Sequence, residues 1–388
     1  MGFKYVLIFC LVVTKLMAFS SQEKCLPFQV PTYFSYKEEE LLPLLNLSSS
    51  ASMHLEELEY WDKILGKLLT KFNVEEDTSR IYAYLYISQR EVAYLTYQLS
   101  GYFQGSMHPI SALILQLFFP DAQFPQLEQA DAYSKHLAKI VSDKMRARFL
   151  EEQSMQKPYP VKVGTEYWQG SVPFYGQNVG SGKPWILSSS HLFRQPPPDY
   201  GDFIWEDQIE QVRRLSKDLN AQQKQAILFW ADMAPGELFE RPSWLKMAYT
   251  WMKHKQTPFP LMLLIRSTLA TTLSETVIAT FDAKYTYWVK RPTMLDATLS
   301  AAIEVPNHPS YPSAHSTTSM AAATILSVFF PQDQKMWQDL AQQAGLSRIW
   351  AGIHFPLDHE KGRKLGYQVA RSVLKEMQIE NKETLNTF

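Results

Sequence analysis

Apolar residues recur at spacings of three and four along residues 55–72, 79–99, 111–119 and 126–153. The same spacing returns along residues 204–219 and, with interruptions, from Ala221 to the C-terminus. That period marks helices with one buried face, so the pattern predicts an all-α fold. Residues 154–203 break the rhythm with clustered Gly, Pro, Ser and aromatics, ending in Pro196-Pro197-Pro198. They predict a long irregular connection, which at such length is functional or wrapped over the body. Its aromatics Tyr167, Trp168 and Trp185 are expected either to pack the connection down or to shape access to a site.

The predicted organisation is a single all-α domain over residues 21–388. A first helical bundle spans 55–153, the irregular connection 154–203, and a second bundle 204–388. A run beginning His108-Pro109-Ile110 and ending Phe118-Phe119-Pro120 is echoed by one from His315 to Phe329-Phe330-Pro331. Each is a histidine, an apolar helix and a Phe-Phe-Pro stop, which suggests two related helical bundles with chemistry only in the second. Residues 261–281 come nearest to a membrane span. Arg266, Glu275 and several Thr and Ser interrupt them short of the ~20 apolar residues a span needs.

Composition narrows the classes. A chain of 388 residues with 46% hydrophobic and 20% charged positions buries a sizeable core and is neither disordered, collagen-like nor a disulfide scaffold. Lys+Arg 38 against Asp+Glu 39, with no basic run, argues against a nucleic-acid surface. Residues 1–20 read as an export signal: Lys4, an apolar run over 5–13, and small residues in Ala18-Phe19-Ser20. Their removal takes away Lys4 and Lys15, shifts the net charge from −1 to −3, and predicts a secreted or periplasmic protein. Cys10 would leave with the signal, and Cys25 alone forms no internal disulfide.

The candidate chemistry lies in three blocks. Lys284 is followed after six residues by Arg291-Pro292; Pro312-Ser313-Ala314-His315 comes next; Ser347-Arg348, five residues, His354, three residues and Asp358 complete the set. Three fixed cations, two of them guanidinium forks, suit a tetrahedral oxyanion. Ser313, Ala314 and His315 lie where an apolar helix begins, with Pro312 suited to its first turn and free N–H groups turned to an anion. Asp358 is positioned to accept one ring N–H of His354, leaving the other nitrogen nucleophilic. His315 suits a general acid or base. The blocks together predict an enclosed pocket for phosphate or a group of its shape.

On these residues the chain resembles the superfamily of type 2 phosphatidic acid phosphatases and vanadium-dependent haloperoxidases, and in particular its soluble, secreted bacterial members. The pattern is Lys-x6-Arg-Pro, Pro-Ser-Gly-His and Ser-Arg-x5-His-x3-Asp, with Ala314 here in place of the Gly. Lys183-Pro-Trp-Ile-Leu and Phe193-Arg-Gln-Pro-Pro-Pro extend the likeness. The resemblance implies an all-α fold of the haloperoxidase and acid phosphatase type built around four-helix bundles, which would make the two halves two related four-helix bundles. It assigns the oxygens of vanadate or phosphate to Lys284, Arg291, Ser313, Ala314 and Arg348. For phosphatases it makes His354 the nucleophile, oriented by Asp358, and His315 the proton donor to the leaving alcohol, with no cofactor.

For peroxidases the resemblance makes vanadate the cofactor, His354 the vanadium ligand, His315 the aid to peroxide binding, and Lys284 the polarising cation. His308 looks like bromide-oxidising members, while Phe281 stands where peroxidases often carry Trp, so these two positions bear on halide or substrate selectivity. The leading expectation is a vanadate-dependent haloperoxidase using hydrogen peroxide and bromide or iodide. The alternatives are a soluble acid phosphatase acting on small phosphate esters and a non-catalytic phosphate- or vanadate-binding protein.

Overall fold

The computed structural model describes residues 30–74, 76–231 and 243–379. The export-signal reading, with Cys10 and Cys25, lies outside the described residues. Among the described residues the long elements are all helical: α1 (Leu55–Lys71), α2 (Thr78–Ser100), α3 (His108–Phe118), α4 (Ala132–Met155), α5 (Ile204–Ser216) and α6 (Ala221–Ala231). They continue with α7 (Trp244–His254), α8 (Phe259–Tyr287), α9 (Ala314–Phe329), α10 (Gln334–Trp350) and α11 (Pro356–Glu376).

Three boundaries differ from the periodicity. The stretch 126–153 is two pieces, a turn at Pro125–Gln129 and then α4, because the Asp131 side chain accepts from Ser134 N at 2.9 Å and starts a new helix. The stretch 204–219 stops at Ser216, and α3 starts three residues early, at His108. The Phe-Phe-Pro echo survives as geometry. Phe119 (φ −130, ψ 71) and Phe330 (φ −129, ψ 67) end α3 and α9 in the same non-helical conformation, as a following proline requires.

Helix α8 is the axis of the molecule. It packs against α2, α9, α11 and α7 and is buried almost all round, as a helix without a polar face must be. The expectation that no stretch approaches a membrane span is corrected here. Phe259–Leu295 is long and apolar enough by length and composition, and 89% of its most apolar window is buried inside the fold.

The residues that interrupted the pattern are internally satisfied. Thr272, Thr276 and Thr280 each donate to the carbonyl four residues back, at 2.8, 2.5 and 2.7 Å. Arg266 forms a two-pronged pair with Asp62 of α1 at 2.7 and 2.9 Å and lies 3.8 Å from the centre of the Tyr86 ring of α2. Glu275 accepts from the backbone N–H groups of Trp185, Ile186 and Leu187, and burial raises it to about 7.

One continuous core joins the two halves, with Trp61, Tyr84, Val141, Ile265, Ala322 and Val373 among its members. Helices α9 and α11 approach closely because Gly362 and Gly366 carry no side chain. A Cβ on Gly362 would sit 2.8 Å from the Ser313 carbonyl oxygen, and one on Gly366 would drive into that of Thr317. Gly366→Ala is therefore expected to destabilise by about 1–3 kcal/mol through overpacking. A lower urea midpoint with unchanged slope checks it.

The connection 154–203 contains a single 3-10 turn, Val179–Ser181, and is bound to the body by hydrogen bonds. Arg148 donates to the carbonyls of Lys183 and Pro184 and lies 3.7 Å from the centre of the Trp185 ring. Arg194 pairs with Asp282 of α8 at 2.9 Å. Trp185 thus anchors the connection. Trp168 does so too, but at a place that bears on the pocket.

Candidate active site

Lys284 occupies the last turn of α8, which stops at Trp288 in the left-handed region (φ 55). A bulky residue there costs on the order of 1–3 kcal/mol and persists only where its surroundings enforce it. They do: Trp168 N–H donates to the Trp288 carbonyl at 2.6 Å, and Trp168 and Phe174 pack on its ring. The connection therefore clamps the turn that brings Arg291 back beside the end of α8.

Lys284 Nζ donates to the carbonyls of Pro309 and Ser310, both at 2.7 Å. Arg291 is wholly buried and donates to the carbonyls of His308 (3.1 Å) and Ile353 (2.8 Å). Its Nη1 also lies 3.0 Å from His354 Nε2, and its Nη2 lies 3.1 Å from His308 Nδ1. Arg348, in the last turn of α10, donates to Ser347 Oγ (3.0 Å) and the Ile227 carbonyl (2.7 Å). Ser313 is the N-cap of α9, with its side chain accepting from Ser316 N, so Pro312 precedes the helix rather than opening it. Ala314 and His315 are the first two helical positions, where N–H groups have no intrahelical acceptor.

His354 precedes α11, and Asp358 sits in its first turn. His354 Nδ1 is 2.8 Å from Asp358 Oδ2, which also accepts from Phe355 N–H at 3.1 Å and from Ser310 Oγ at 2.5 Å. The Asp358 contact makes Nδ1 the protonated nitrogen and leaves the Nε2 lone pair facing Arg291. Half-buried His315 places Nε2 2.9 Å from the Trp230 carbonyl in the last turn of α6. His308 packs at a tilt against Phe281 and Tyr175, with ring centres 5.4 and 5.8 Å away.

The structure thus gathers the ten candidate site residues, Phe281, Lys284, Arg291, His308, Ser313, Ala314, His315, Arg348, His354 and Asp358. Three cations share the region with one carboxylate. Burial first, then Arg291, pushes Lys284 well below its ordinary value, with Asp358 opposing. Burial alone holds Arg348 down, to about 10, and lowers Arg291 to about 10 against the pull of Asp358. Burial raises Asp358, while the Ser310 hydroxyl, the Phe355 N–H and the two nearest cations oppose the rise. Burial, then Arg348, pushes His315 down to about 3, and burial with Arg291 and Lys284 holds His354 well below the usual range. The common cause is burial, and because three cations there face a single carboxylate, a di- or trivalent oxyanion would complement their charge. Vanadate fits this donor set on chemistry: three cations for its oxygens and one imidazole lone pair for the metal.

Sequence reasoning missed three contributors. Ser310 bridges Asp358 and His354. Tyr175 supplies an aromatic wall against His308 and Phe281. The α6 carbonyls of Ile227 and Trp230 hold Arg348 and His315. Backbone carbonyls carry no residue signature, and Ser310 and Tyr175 belong to no block.

Beside the pocket, His359 is buried, with Nδ1 2.9 Å from Ser316 Oγ and Nε2 without a hydrogen-bond partner. Burial, then Arg363, lowers it from 6.5 to about 4. Above 6.5 it is neutral folded or unfolded; below, the unfolded chain takes up a proton that the fold refuses. Stability is thus present above about 6.5 and lost as pH falls toward 4. The melting temperature is expected to drop over that window, and less steeply in His359→Gln.

Residues 260–381 match the model of the PAP2 superfamily. A 57-residue stretch is 37% identical to the bacitracin transport permease protein BcrC of Bacillus licheniformis, covering 15% of this chain and 28% of that protein. The fold matches the first bacterial vanadium-dependent iodoperoxidase with a TM-score of 0.67 at 18% identity, over 83% of this chain and 96% of that one. It matches an apo-type bacterial vanadium-dependent chloroperoxidase with a TM-score of 0.58 at 12% identity, over 81% and 93%. Residues 260–381, the helices that carry Lys284, Arg291, Ser313, Arg348, His354 and Asp358, thus match the PAP2 superfamily, and the fold around them is that of the vanadium haloperoxidases.

Proposed function

We propose that this protein is a vanadate-dependent haloperoxidase oxidising bromide or iodide with hydrogen peroxide. The observation that carries the reading is the buried surplus of positive charge around His354 Nε2, walled by Phe281, Tyr175 and His308. Such a site favours a small, permanently held oxyanion and small reactants over a bulky ester.

In this reading Lys284, Arg291 and Arg348 would hold vanadate oxygens together with the Ser313 hydroxyl and the Ala314 N–H, and His354 Nε2 would be the metal ligand. Bound vanadate supplies Lewis-acid activation of peroxide toward halide. Asp358 keeps the His354 proton on Nδ1, so Nε2 presents its lone pair. His315, neutral through most of the pH range because burial and Arg348 disfavour its cation, accepts a proton from incoming peroxide at whichever ring nitrogen is unprotonated. Lys284 would lend its positive charge to the oxygens held there. His308, hydrogen-bonded to Arg291, borders the halide's approach.

The PAP2 match supports a second reading, an acid phosphatase in which His354 Nε2 attacks phosphorus and His315 protonates the departing alcohol. One assay separates the two. Protein reconstituted with vanadate in phosphate-free buffer is expected to brominate or iodinate an indicator with peroxide, and His315→Ala to abolish turnover. Vanadate inhibiting phosphate-ester hydrolysis, with phosphate trapped on a histidine by acid quench and no halide oxidation, would overturn the peroxidase reading.

A further inference from the structure

Ser310 is wholly buried between two blocks of the pocket, yet belongs to neither. Its carbonyl accepts from Lys284 Nζ at 2.7 Å, its N–H donates to Val289 O at 2.9 Å, and its hydroxyl lies 2.5 Å from Asp358 Oδ2 and 3.3 Å from His354 Nδ1. A carboxylate oxygen only accepts, so the Ser310 proton goes to Asp358. The hydroxyl oxygen is then left as an acceptor facing Nδ1. Two acceptors, Asp358 Oδ2 and Ser310 Oγ, thus share one imidazole N–H, while Arg291 Nη1 presents a donor to Nε2 at 3.0 Å. The opposite tautomer would set N–H against N–H at that contact.

Asp358 is held through one oxygen only. Oδ2 takes Ser310, His354 and Phe355, whereas buried Oδ1 has no hydrogen-bond partner. Without the Ser310 donor, which makes the shortest of these contacts, the carboxylate gains by rotating to use both oxygens, and the Nδ1 contact loosens.

We propose that Ser310 is a positioning residue that locks the His354 imidazole in its Nδ1–H tautomer and aims Nε2 into the cationic pocket. The proposal rests on the reading of His354 as the pocket's reactive nitrogen. Replacing the side chain leaves the Ser310 carbonyl on Lys284, so the effect is confined to the Asp358 and His354 arm.

The test uses full-length protein labelled with nitrogen-15 in histidine, free of vanadate, with the His354 signals identified by their loss in His354→Gln. In the parent protein the two ring nitrogens are expected at well-separated shifts, one protonated and one bearing a lone pair. In Ser310→Ala they are expected to converge toward a tautomeric average, and vanadate affinity by titration to fall about 10- to 100-fold. Ser310→Thr, which keeps the hydroxyl, is expected to restore both. If Ser310→Ala does not fold, Ser310→Cys fills the site with a slightly larger and much weaker donor and should shift the nitrogens the same way. Unchanged, well-separated shifts in Ser310→Ala or Ser310→Cys overturn the proposal whatever happens to affinity. If the parent protein binds no vanadate, the functional reading fails, and the nitrogen shifts alone still decide the role of Ser310.

Discussion

His354→Ala is expected to abolish vanadate binding and with it all halide oxidation. Losing one oriented donor to a developing charge costs about 10²–10³ in rate. In the proposed function His354 would supply a bond to the oxyanion centre rather than a donor, so its loss should exceed that range. The remaining architecture is expected to survive. Asp358 Oδ2 keeps the Ser310 hydroxyl and the Phe355 N–H, and Arg291 keeps the carbonyls of His308 and Ile353. The measurement is vanadium content after gel filtration of reconstituted protein, beside a thermal melt showing a folded chain. Stoichiometric vanadium in a folded His354→Ala sample would remove His354 as ligand. Phosphate label trapped on that variant would likewise remove it as nucleophile.

The second large effect lies far from the chemistry. Asp62→Ala is expected to destabilise the protein by about 3–5 kcal/mol, because it leaves the Arg266 guanidinium buried without a counter-charge. Both side chains are almost fully buried, the pair is two-pronged, and Tyr86 OH adds a third contact to Asp62 at 2.8 Å. One carboxylate thereby ties α1 and α2 to the N-terminal third of α8. A denaturant titration should show a large drop in midpoint, while vanadate affinity per folded molecule stays near that of the parent. The double variant Asp62→Leu with Arg266→Met should recover much of the loss, since it removes the unpaired charge. A loss in Asp62→Ala below about 1 kcal/mol, the range of exposed pairs, would mean that water reaches Arg266.

The same residues show what a sequence can reveal here. Arg266 and Glu275 read as interruptions of an apolar run, because their partners are remote: Asp62 lies 204 residues away, and the Trp185 to Leu187 backbone about 90. Paired, they let α8 be buried along nearly its whole length. The break before α4 was legible in principle from Asp131, three residues ahead of Ser134, but the apolar period ran across it.

The local patterns were decided by the chain itself. Helical period, the Phe-Phe-Pro stops and the four-residue offset between His354 and Asp358 all act over a turn or two, where bond geometry fixes which groups meet. For that reason the all-α class and the candidate residues of the three blocks could be named from order and spacing, whereas His308 and Phe281 drew notice only through the family resemblance. Tertiary structure alone decided which carbonyls neutralise the cations, that Ser310 stands between Asp358 and His354, and that the 154–203 connection clamps the Trp288 turn while bringing Tyr175 to His308. Each of those contacts joins segments distant in sequence or uses a backbone atom that every residue carries. Only burial turns them into strong interactions, by removing the water that would otherwise compete for the same groups.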